Sequence, residues 1–206
     1  MARRSDHNRE ELYQMALTAA REIVVADGHR ALTARNVAER IGYSAGTLYN
    51  LFANLDELFL HLNGSTLEQL HDDLASLRPS GNPEADLHAL LDRYLAFTAA
   101  QPQLWALIFE HRLPAGMDLP DWYQGKVDRV LALLEEALSP LFNAGQEAQK
   151  KESARVLWAS LHGIWSLAIA GKLGIVTMEP VGAMARTLIR TYLAGLRATT
   201  GSYNTN

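Results

Sequence analysis

The segment Gly42-Tyr43-Ser44-Ala45-Gly46 carries a recognisable chemical pattern, a serine between two glycines in the order G-x-S-x-G. In α/β-hydrolases this pattern places a serine nucleophile on a sharp turn between a strand and a helix. Here the preceding residues 34–41 have helical periodicity, and no run of residues has the alternating, β-branched character of a strand. We therefore interpret Ser44 as a helix cap and keep a serine hydrolase as an alternative.

The other side chains of reactive or metal-binding types do not form a recognisable catalytic or metal-binding set. The chain has seven histidines, and no two of them have the i, i+4 spacing that presents two imidazoles on one helical face. It has no cysteine, which excludes disulfides and thiolate zinc sites. The sequence predicts no catalytic residues, no metal and no cofactor, so we expect a protein that is not an enzyme.

The composition is that of an ordinary globular protein, with 48% hydrophobic and 20% charged residues in a chain of 206. No apolar run approaches the roughly 18 residues that cross a bilayer, and the polar start does not resemble a signal peptide. We expect a cytoplasmic protein with no membrane partner. The net charge of −4 does not favour nucleic acid, although residues 1–55 contain seven arginines against six acidic residues.

Helical periodicity extends through every long segment, so the sequence predicts an all-α fold. Thr33, Ser44 and Asn54 are each placed to cap a following helix. The expected helices, about nine in all, are 9–26, 33–41, 44–52, 54–77, 83–101, 103–112, 121–143, 146–172 and 179–199. We predict two domains, an N-terminal three-helix domain at residues 1–55 and a larger helical domain at residues 56–206.

Within residues 33–52 the spacing is that of a helix-turn-helix. Ala38 is small enough for two helices to approach closely, and Gly42 tolerates a positive φ in the turn. Apolar residues are placed to fix the second helix on the first, namely Val37, Ile41, Leu48 and Phe52. The outward positions between them are small or hydrogen-bonding, which suits a helix in a major groove.

Residues 32–52, followed by Asn54-Leu55-Asp56-Glu57-Leu58, are similar to the DNA-binding domain of TetR-type transcriptional regulators. The resemblance covers roughly residues 9–60, and Gly46-Thr47-Leu48-Tyr49 with Phe52 makes it specific. It implies an all-helical homodimer that binds a palindromic double-stranded DNA operator and represses transcription. It also implies release of the operator when a small molecule binds the C-terminal domain.

The same resemblance implies which residues meet DNA. Thr33 and Tyr49 are expected to contact phosphates, and Arg3 and Arg4 to form a basic arm. The full expected set is Thr33, Arg35, Ser44, Ala45, Gly46, Thr47, Tyr49, Asn50, Arg3 and Arg4. Relatives usually have lysine where this chain has Leu55, so we expect a shallower salt dependence of binding than a lysine-bearing relative shows.

The C-terminal domain is rich in aromatic residues, as an apolar effector pocket would be. We expect a small hydrophobic or amphipathic ligand in such a pocket, although each aromatic side chain is also suited to an ordinary core. The candidate ligand-binding residues are Tyr94, Phe97, Trp105, Phe109, His111, Arg112, Trp122 and Tyr123.

Two apolar stripes near the C-terminus predict the dimer interface. Trp158-Ala159-Ser160-Leu161-His162-Gly163 also resembles a Trp-x-x-x-His-Gly signature of one TetR-like subgroup. The candidate interface residues are Trp158, Leu161, His162, Trp165, Leu188 and Tyr192. A DNA-binding regulator controlled by a protein partner, with no small-molecule effector, remains an alternative, and activation of transcription remains open beside repression.

Overall fold

The structure is a computed structural model that describes residues 7–201, with the side chains of residues 200 and 201 left out of the description. This range contains ten α-helices and no strand, as the all-α prediction required. Their bounds are α1 Arg9–Asp27, α2 Ala34–Ile41, α3 Ala45–Tyr49, α4 Leu55–Ala75, α5 Pro83–Ala100, α6 Pro102–Glu110, α7 Asp121–Leu138, α8 Glu147–Ile169, α9 Leu173–Val176 and α10 Val181–Gly201.

Local sequence signals explain where the first helices begin and end. Asn8 and Glu11 form a capping box at the start of α1, each side chain accepting a hydrogen bond from the other residue's backbone N–H. Thr33 caps α2 by accepting from the backbone N–H of Asn36 at 3.1 Å. Gly42 ends α2 with φ 78°, which an L-residue rarely adopts.

The chain divides into two compact units. Unit 1 comprises the residues up to Glu68 together with Gln101–Tyr123, and unit 2 comprises Gln69–Ala100 and the residues from Gln124 onward. Helices α4 and α7 therefore contribute to both. The predicted functional division at residue 55 stays a prediction.

The core of unit 1 is built mainly from α1 to α4, with a contribution from α6. Its fully buried members include Ile23, Val37, Leu48, Phe52 and Leu107. Burial of such side chains contributes roughly 1.5–3 kcal/mol each. The faces of α2 and α3 opposite these residues are thereby left in solvent.

The core of unit 2 joins α5, α7, α8 and α10. Leu87 and Leu91 of α5 pack with Leu157 of α8, and Ile189 and Leu193 supply the buried face of α10. The i, i+4 spacing within α5 and within α10 is the spacing of a helix with a single buried stripe. The other faces of these helices are consequently exposed.

The ends of α7 and α8 differ from the sequence expectation. The helix expected at 121–143 ends at Leu138 and continues as a 3₁₀ turn at Ser139–Leu141, because Pro140 lacks the N–H that an α-helix needs. The helix expected at 146–172 ends at Ile169. Gly171 then turns the chain with φ 67°, and the short helix α9, which the sequence did not predict, follows.

We predict that Gly42→Ala lowers the free energy of unfolding by about 1–2 kcal/mol, the cost of a left-handed conformation for an L-residue. Gly125→Ala is the matched control, because Gly125 lies inside α7 without a positive φ and a Cβ there has open space. This control should instead gain about 0.5–1 kcal/mol from helix propensity. Denaturant unfolding of both variants at one protein concentration measures the difference, and equal stabilities would contradict the role given to Gly42.

Candidate nucleic-acid interface

Helix α3 is held by a turn and two caps that orient its polar edge. At the end of α2 the backbone N–H of Tyr43 donates to the carbonyl of Ala38 at 2.9 Å, and that of Gly42 donates to Glu39 at 3.1 Å. This pair of bonds is the Schellman arrangement of a helix end. Ser44 then begins α3 by accepting from the backbone N–H of Thr47 at 3.3 Å.

The burial pattern of α3 separates an inner from an outer side. Leu48 is 2% exposed and belongs to the core of unit 1, whereas Tyr49 is 53% exposed. Ser44, Gly46 and Asn50 are also exposed, and Ala45 and Thr47 are partly so. The outer side of α3 therefore presents the small and hydrogen-bonding residues that the sequence singled out.

Gly46 has no structural need to be glycine. Its φ is not positive, and a Cβ built there would meet only the Ser44 hydroxyl at 3.6 Å, an ordinary contact. An alanine would also favour the helix over glycine by roughly 1 kcal/mol. The missing side chain is instead suited to close approach by an external group on the outer side of α3.

Exposed cations near α3 are few, and one of them is already neutralised. Arg40 pairs with Glu22 at 3.1 Å. Arg35 is exposed on α2 and makes no ion pair within the described residues, so its charge is available to a phosphate. Thr33 is exposed beside it as the cap of α2.

The expected basic arm lies outside the described residues, since Arg3 and Arg4 precede residue 7. The described chain begins beside the helix-turn-helix, where Nδ1 of His7 and the hydroxyl of Tyr43 are 2.8 Å apart in a hydrogen bond. This bond attaches the start of the described chain to the turn between α2 and α3.

The start of α4 has an apolar contact and two side-chain hydrogen bonds. Leu55 packs against the core of unit 1, which accounts for an apolar residue at this position. The Asn54 side chain accepts from the backbone N–H of Glu57 at 2.8 Å, and the Glu57 carboxylate accepts from the backbone N–H of Ala53. Asn54 is thus the cap of α4 that the sequence predicts.

Ser44 lies in surroundings unlike those of a nucleophile elbow. Helix α2 precedes it, no strand occurs in residues 7–201, and its hydroxyl is engaged with the backbone and the hydroxyl of Thr47 at 3.3 and 3.1 Å. The helix-cap interpretation is confirmed by this geometry.

Two stretches of the chain match known protein families. Residues 16–62 match the family described as "Bacterial regulatory proteins, tetR family", and residues 87–192 match "Tetracyclin repressor-like, C-terminal domain". The second match alone covers more than half of the 206 residues. The chain belongs to the TetR family of transcriptional regulators. In this TetR-family protein, α2 and α3 form the DNA-binding helix-turn-helix.

Solved structures with the same fold include several regulators. A protein of unknown function from Rhodococcus sp. RHA1 has a TM-score of 0.71 and 21% identity, covering 95% of this chain and 100% of its own. A TetR-family regulator from Streptomyces coelicolor has a TM-score of 0.64 and 21% identity, covering 90% and 99%. FadR from Thermus thermophilus, a repressor solved with lauroyl-CoA, has a TM-score of 0.63 and 19% identity, covering 90% and 93%. No curated protein sequence matches the chain significantly.

The expected ligand-binding residues of this TetR-family protein fall in both units. Unit 2 contains Tyr94 and Phe97, both buried in α5. Unit 1 contains the other six, namely Trp105, Phe109, His111, Arg112, Trp122 and Tyr123. The structure therefore does not gather the eight residues within a single unit, and their role in binding stays a prediction.

In unit 1, His111 and Trp122 of the expected ligand-binding residues have protein partners. Nε2 of His111 is 2.9 Å from a carboxylate oxygen of Asp56, and the imidazole stacks on Phe59 at a centroid distance of 4.6 Å. Trp122 stacks on His61 at the same centroid distance. Arg112 is exposed. His111 is therefore engaged in fastening the segment after α6 to α4.

Asn63 is a buried polar residue that sequence reasoning missed. It is 1% exposed, and its Oδ1 has no hydrogen-bond partner within the described residues. Burial raises the pKa of Tyr123 to about 12, and a hydrogen bond from Asn63 partly opposes the rise. The available signal was a single amide among leucines in the apolar first half of α4.

Unit 2 contains a groove and a narrower cavity that share one wall. The groove has a volume of about 310 Å³ between α4, α5 and α7, and Arg78 and Glu136 are among its polar residues. Leu74 and Leu90 line it and also line an apolar cavity of about 30 Å³, to which Tyr94 and Trp158 contribute. The cavity holds no more than about one water, whereas the groove is in the size range of small-ligand sites.

The expected interface residues lie mainly on the inner sides of α8 and α10. Trp158, Leu161, Leu188 and Tyr192 pack against the core of unit 2, and Trp165 is buried. The imidazole of His162 stacks between the rings of Trp158 and Trp165, and its burial lowers its pKa. Their role in dimerisation stays a prediction.

Proposed function

We propose that this protein is a ligand-responsive repressor that binds a palindromic DNA operator as a homodimer through α3. The single observation that carries the DNA contact is the outer side of α3, where exposed Tyr49 and Asn50 lie one turn after Gly46, a glycine that the fold does not require. A helix with small and hydrogen-bonding residues on its outer side can enter a major groove and approach the backbone closely.

Thr47→Ala and Tyr49→Ala should each weaken operator binding about tenfold or more. Each removes a hydrogen bond toward DNA, and a hydrogen bond to a charged group contributes roughly 1.5–3 kcal/mol. The operator is first obtained by selecting genomic fragments that bind the parent protein, and affinities are then measured at one fixed salt concentration. Thr18→Ala, the same change at an exposed position of α1, is the matched control and should bind as the parent does.

Parent-like operator affinity in both Thr47→Ala and Tyr49→Ala would contradict the docking of α3. Because Thr47 also bonds to Ser44, the helix content and thermal stability of each variant are compared with those of the parent. Tyr49→Phe isolates the hydroxyl and should reproduce most of the loss if the phenol meets a phosphate.

The homodimer is supported by an exposed strip of small and apolar residues on α8. Val156 is 47% exposed and Leu167 36% exposed, and Ala159 and Gly163 lie between them at helical spacing. In a two-fold dimer this strip would meet the same strip of a second copy, and the small residues would allow close helix packing. Two copies related in this way would present two α3 helices to a palindromic operator.

Gly163→Glu should convert the dimer to a monomer and abolish operator binding. A Cβ at Gly163 has open space in the chain itself, so the variant can fold, while a charge in an apolar contact opposes association. Light scattering after size exclusion measures the mass. Gly125→Glu, the same change at an exposed glycine of α7 with equally open space, should stay dimeric. A dimeric Gly163→Glu variant would place the interface elsewhere.

The effector is proposed to be an amphipathic molecule that enters the groove of unit 2. Two structural relatives, FadR from Thermus thermophilus and FadR from Bacillus subtilis, were solved with lauroyl-CoA and stearoyl-CoA. The groove has an apolar wall at Leu74 and Leu90, which continues into the narrow cavity. Its charged lining residues are Arg78, Asp86 and Glu136, and Arg78 makes no ion pair within the described residues. The wall suits an apolar chain, and Arg78 is the group that would meet an anionic end.

Helix α4 is the proposed mechanical link. The same helix supplies Leu58 and Leu62 to the core of unit 1 and Leu74 to the groove of unit 2. A ligand that binds one conformation of the dimer more tightly would shift the population toward the spacing of α3 that does not fit the operator. Equal affinity for both conformations would leave operator binding unchanged.

Saturating acyl-CoA thioesters, tested from lauroyl to stearoyl, should lower operator affinity at least tenfold in the parent. Ala89→Trp should suppress this response, because Ala89 is exposed and lines the groove, so the indole fills the groove without entering the core. Ala96→Trp, an exposed position further along α5, is the matched control and should respond as the parent does. If no small molecule in this series changes operator affinity, the sensor part of the proposal fails.

A further inference from the structure

Helix α10 concentrates positive charge in a chain whose net charge is −4. Between Val181 and Gly201 it carries three arginines and no acidic residue. Arg186 and Arg190 are one turn apart and both exposed, and like charges at this spacing repel each other.

Carboxylates of α5 pair with two of the three arginines. Arg186 pairs with Asp92 at 3.0 Å, and Arg197 lies 3.8 Å from Glu84. The residue numbers fall on α5 as they rise on α10, so the two helices run antiparallel. We call the line of facing side chains between them the row. Asp92, His88 and Glu84 are spaced four apart on α5.

The middle position of this row has no acid. His88 lies between Glu84 and Asp92 on α5, and Arg190 lies between Arg186 and Arg197 on α10. The one side-chain contact of Arg190 within the described residues is a 3.2 Å hydrogen bond that its guanidinium donates to the hydroxyl of Thr187. Its charge is therefore not neutralised by any carboxylate among residues 7–201.

The surface at His88 and Arg190, the middle of the row, forms a pocket. His88, Ala183, Arg186, Thr187 and Arg190 line a pocket of about 250 Å³. This volume is just below the roughly 300 Å³ at which ordinary small-ligand sites begin, so it suits a small ion or a single charged group. The methyl of Ala183 leaves room between the two guanidinium groups and the imidazole.

The imidazole of His88 lacks a partner at the same place. Its Nε2 is buried and has no hydrogen-bond partner within the described residues, and native structures seldom leave such an atom unsatisfied. Because this nitrogen is closed to solvent, an oxyanion in the pocket would first meet the two guanidinium groups, and the imidazole would turn to donate to it.

We propose that His88, Thr187, Arg186 and Arg190 form a binding site for a phosphate group, either free phosphate or the phosphate of a small phosphomonoester. The planar guanidinium group binds oxyanions with two parallel hydrogen bonds, and that of Arg190 has no carboxylate partner within the described residues. Arg186, one turn away, stays paired with Asp92 and would add only its remaining N–H donors. The site shares no residue with the groove proposed for the effector, so it is a second ligand site on the same unit.

The test uses the full chain at pH 7, with inorganic phosphate titrated at constant ionic strength set by sodium chloride. The parent should show a saturable rise in melting temperature, because a ligand that binds the folded state stabilises it. Arg190→Gln should weaken the apparent phosphate affinity at least tenfold. Arg197→Gln removes the same charge from the same helix outside the pocket and should keep the parent's affinity.

His88→Glu is the second variant, because it places a carboxylate in the empty position of the row. It should lose the phosphate response and raise the melting temperature in the absence of phosphate. Should Arg190→Gln fail to fold, the phosphate affinities of His88→Glu and Arg190→Lys still test the site. Arg190→Lys keeps the charge and loses the planar guanidinium group. The imidazole resonances of His88, assigned by their absence in His88→Gln, should shift during the titration.

Glycerol 3-phosphate distinguishes the two sources of the phosphate group. Tighter binding of this phosphomonoester than of inorganic phosphate assigns the site to a phosphorylated metabolite, and equal or weaker binding assigns it to free phosphate. A parent protein that shows no saturable response to either, or a response that Arg190→Gln and Arg197→Gln change equally, would overturn the proposal. Acetate serves as the planar anion and should bind at least tenfold more weakly than phosphate.

Discussion

Burial of Leu48 beneath a turn closed at Gly42 is the constraint on which the DNA-binding surface depends. With Leu48 fixed in the core and α2 ended by a left-handed glycine, the five residues of α3 have one orientation available. Tyr49 and Gly46 must then face outward. The polar character of that side is a consequence of packing on the opposite side, and α3 is too short to keep its shape without it.

The helix-turn-helix could be predicted from the sequence because the residues that determine it act locally. Thr33, Gly42 and Ser44 act on backbone groups within four residues of themselves, so their roles can be read from spacing alone. The same reasoning did not predict where α3 ends, since the helix expected at 44–52 stops at Tyr49. The backbone N–H groups of Asn50 and Leu51 still bond to the preceding turn, and their geometry depends on how Phe52 packs in the core.

The C-terminal half resisted sequence reasoning for a different physical reason. An apolar stripe on a helix shows that a face is buried, but the chain's own core and a second copy bury such faces by the same interaction. The stripe containing Trp158 and Leu161 packs inside unit 2, whereas the exposed strip through Ala159 and Gly163 is too poor in large residues to be recognised as an apolar face. Only the arrangement of α8 against its neighbours separates the two.

Charge in this protein acts through individual partners rather than through totals. In a chain of net charge −4, Glu22 neutralises Arg40, and Arg35 makes no ion pair within the described residues. The row along α5 and α10 follows the same rule, since Asp92 and Glu84 pair with their arginines, whereas Arg190 has no carboxylate partner in the part of the chain that the structure describes. Neither fact is visible in a count of charges. Both follow from which helices lie side by side, which composition does not reveal.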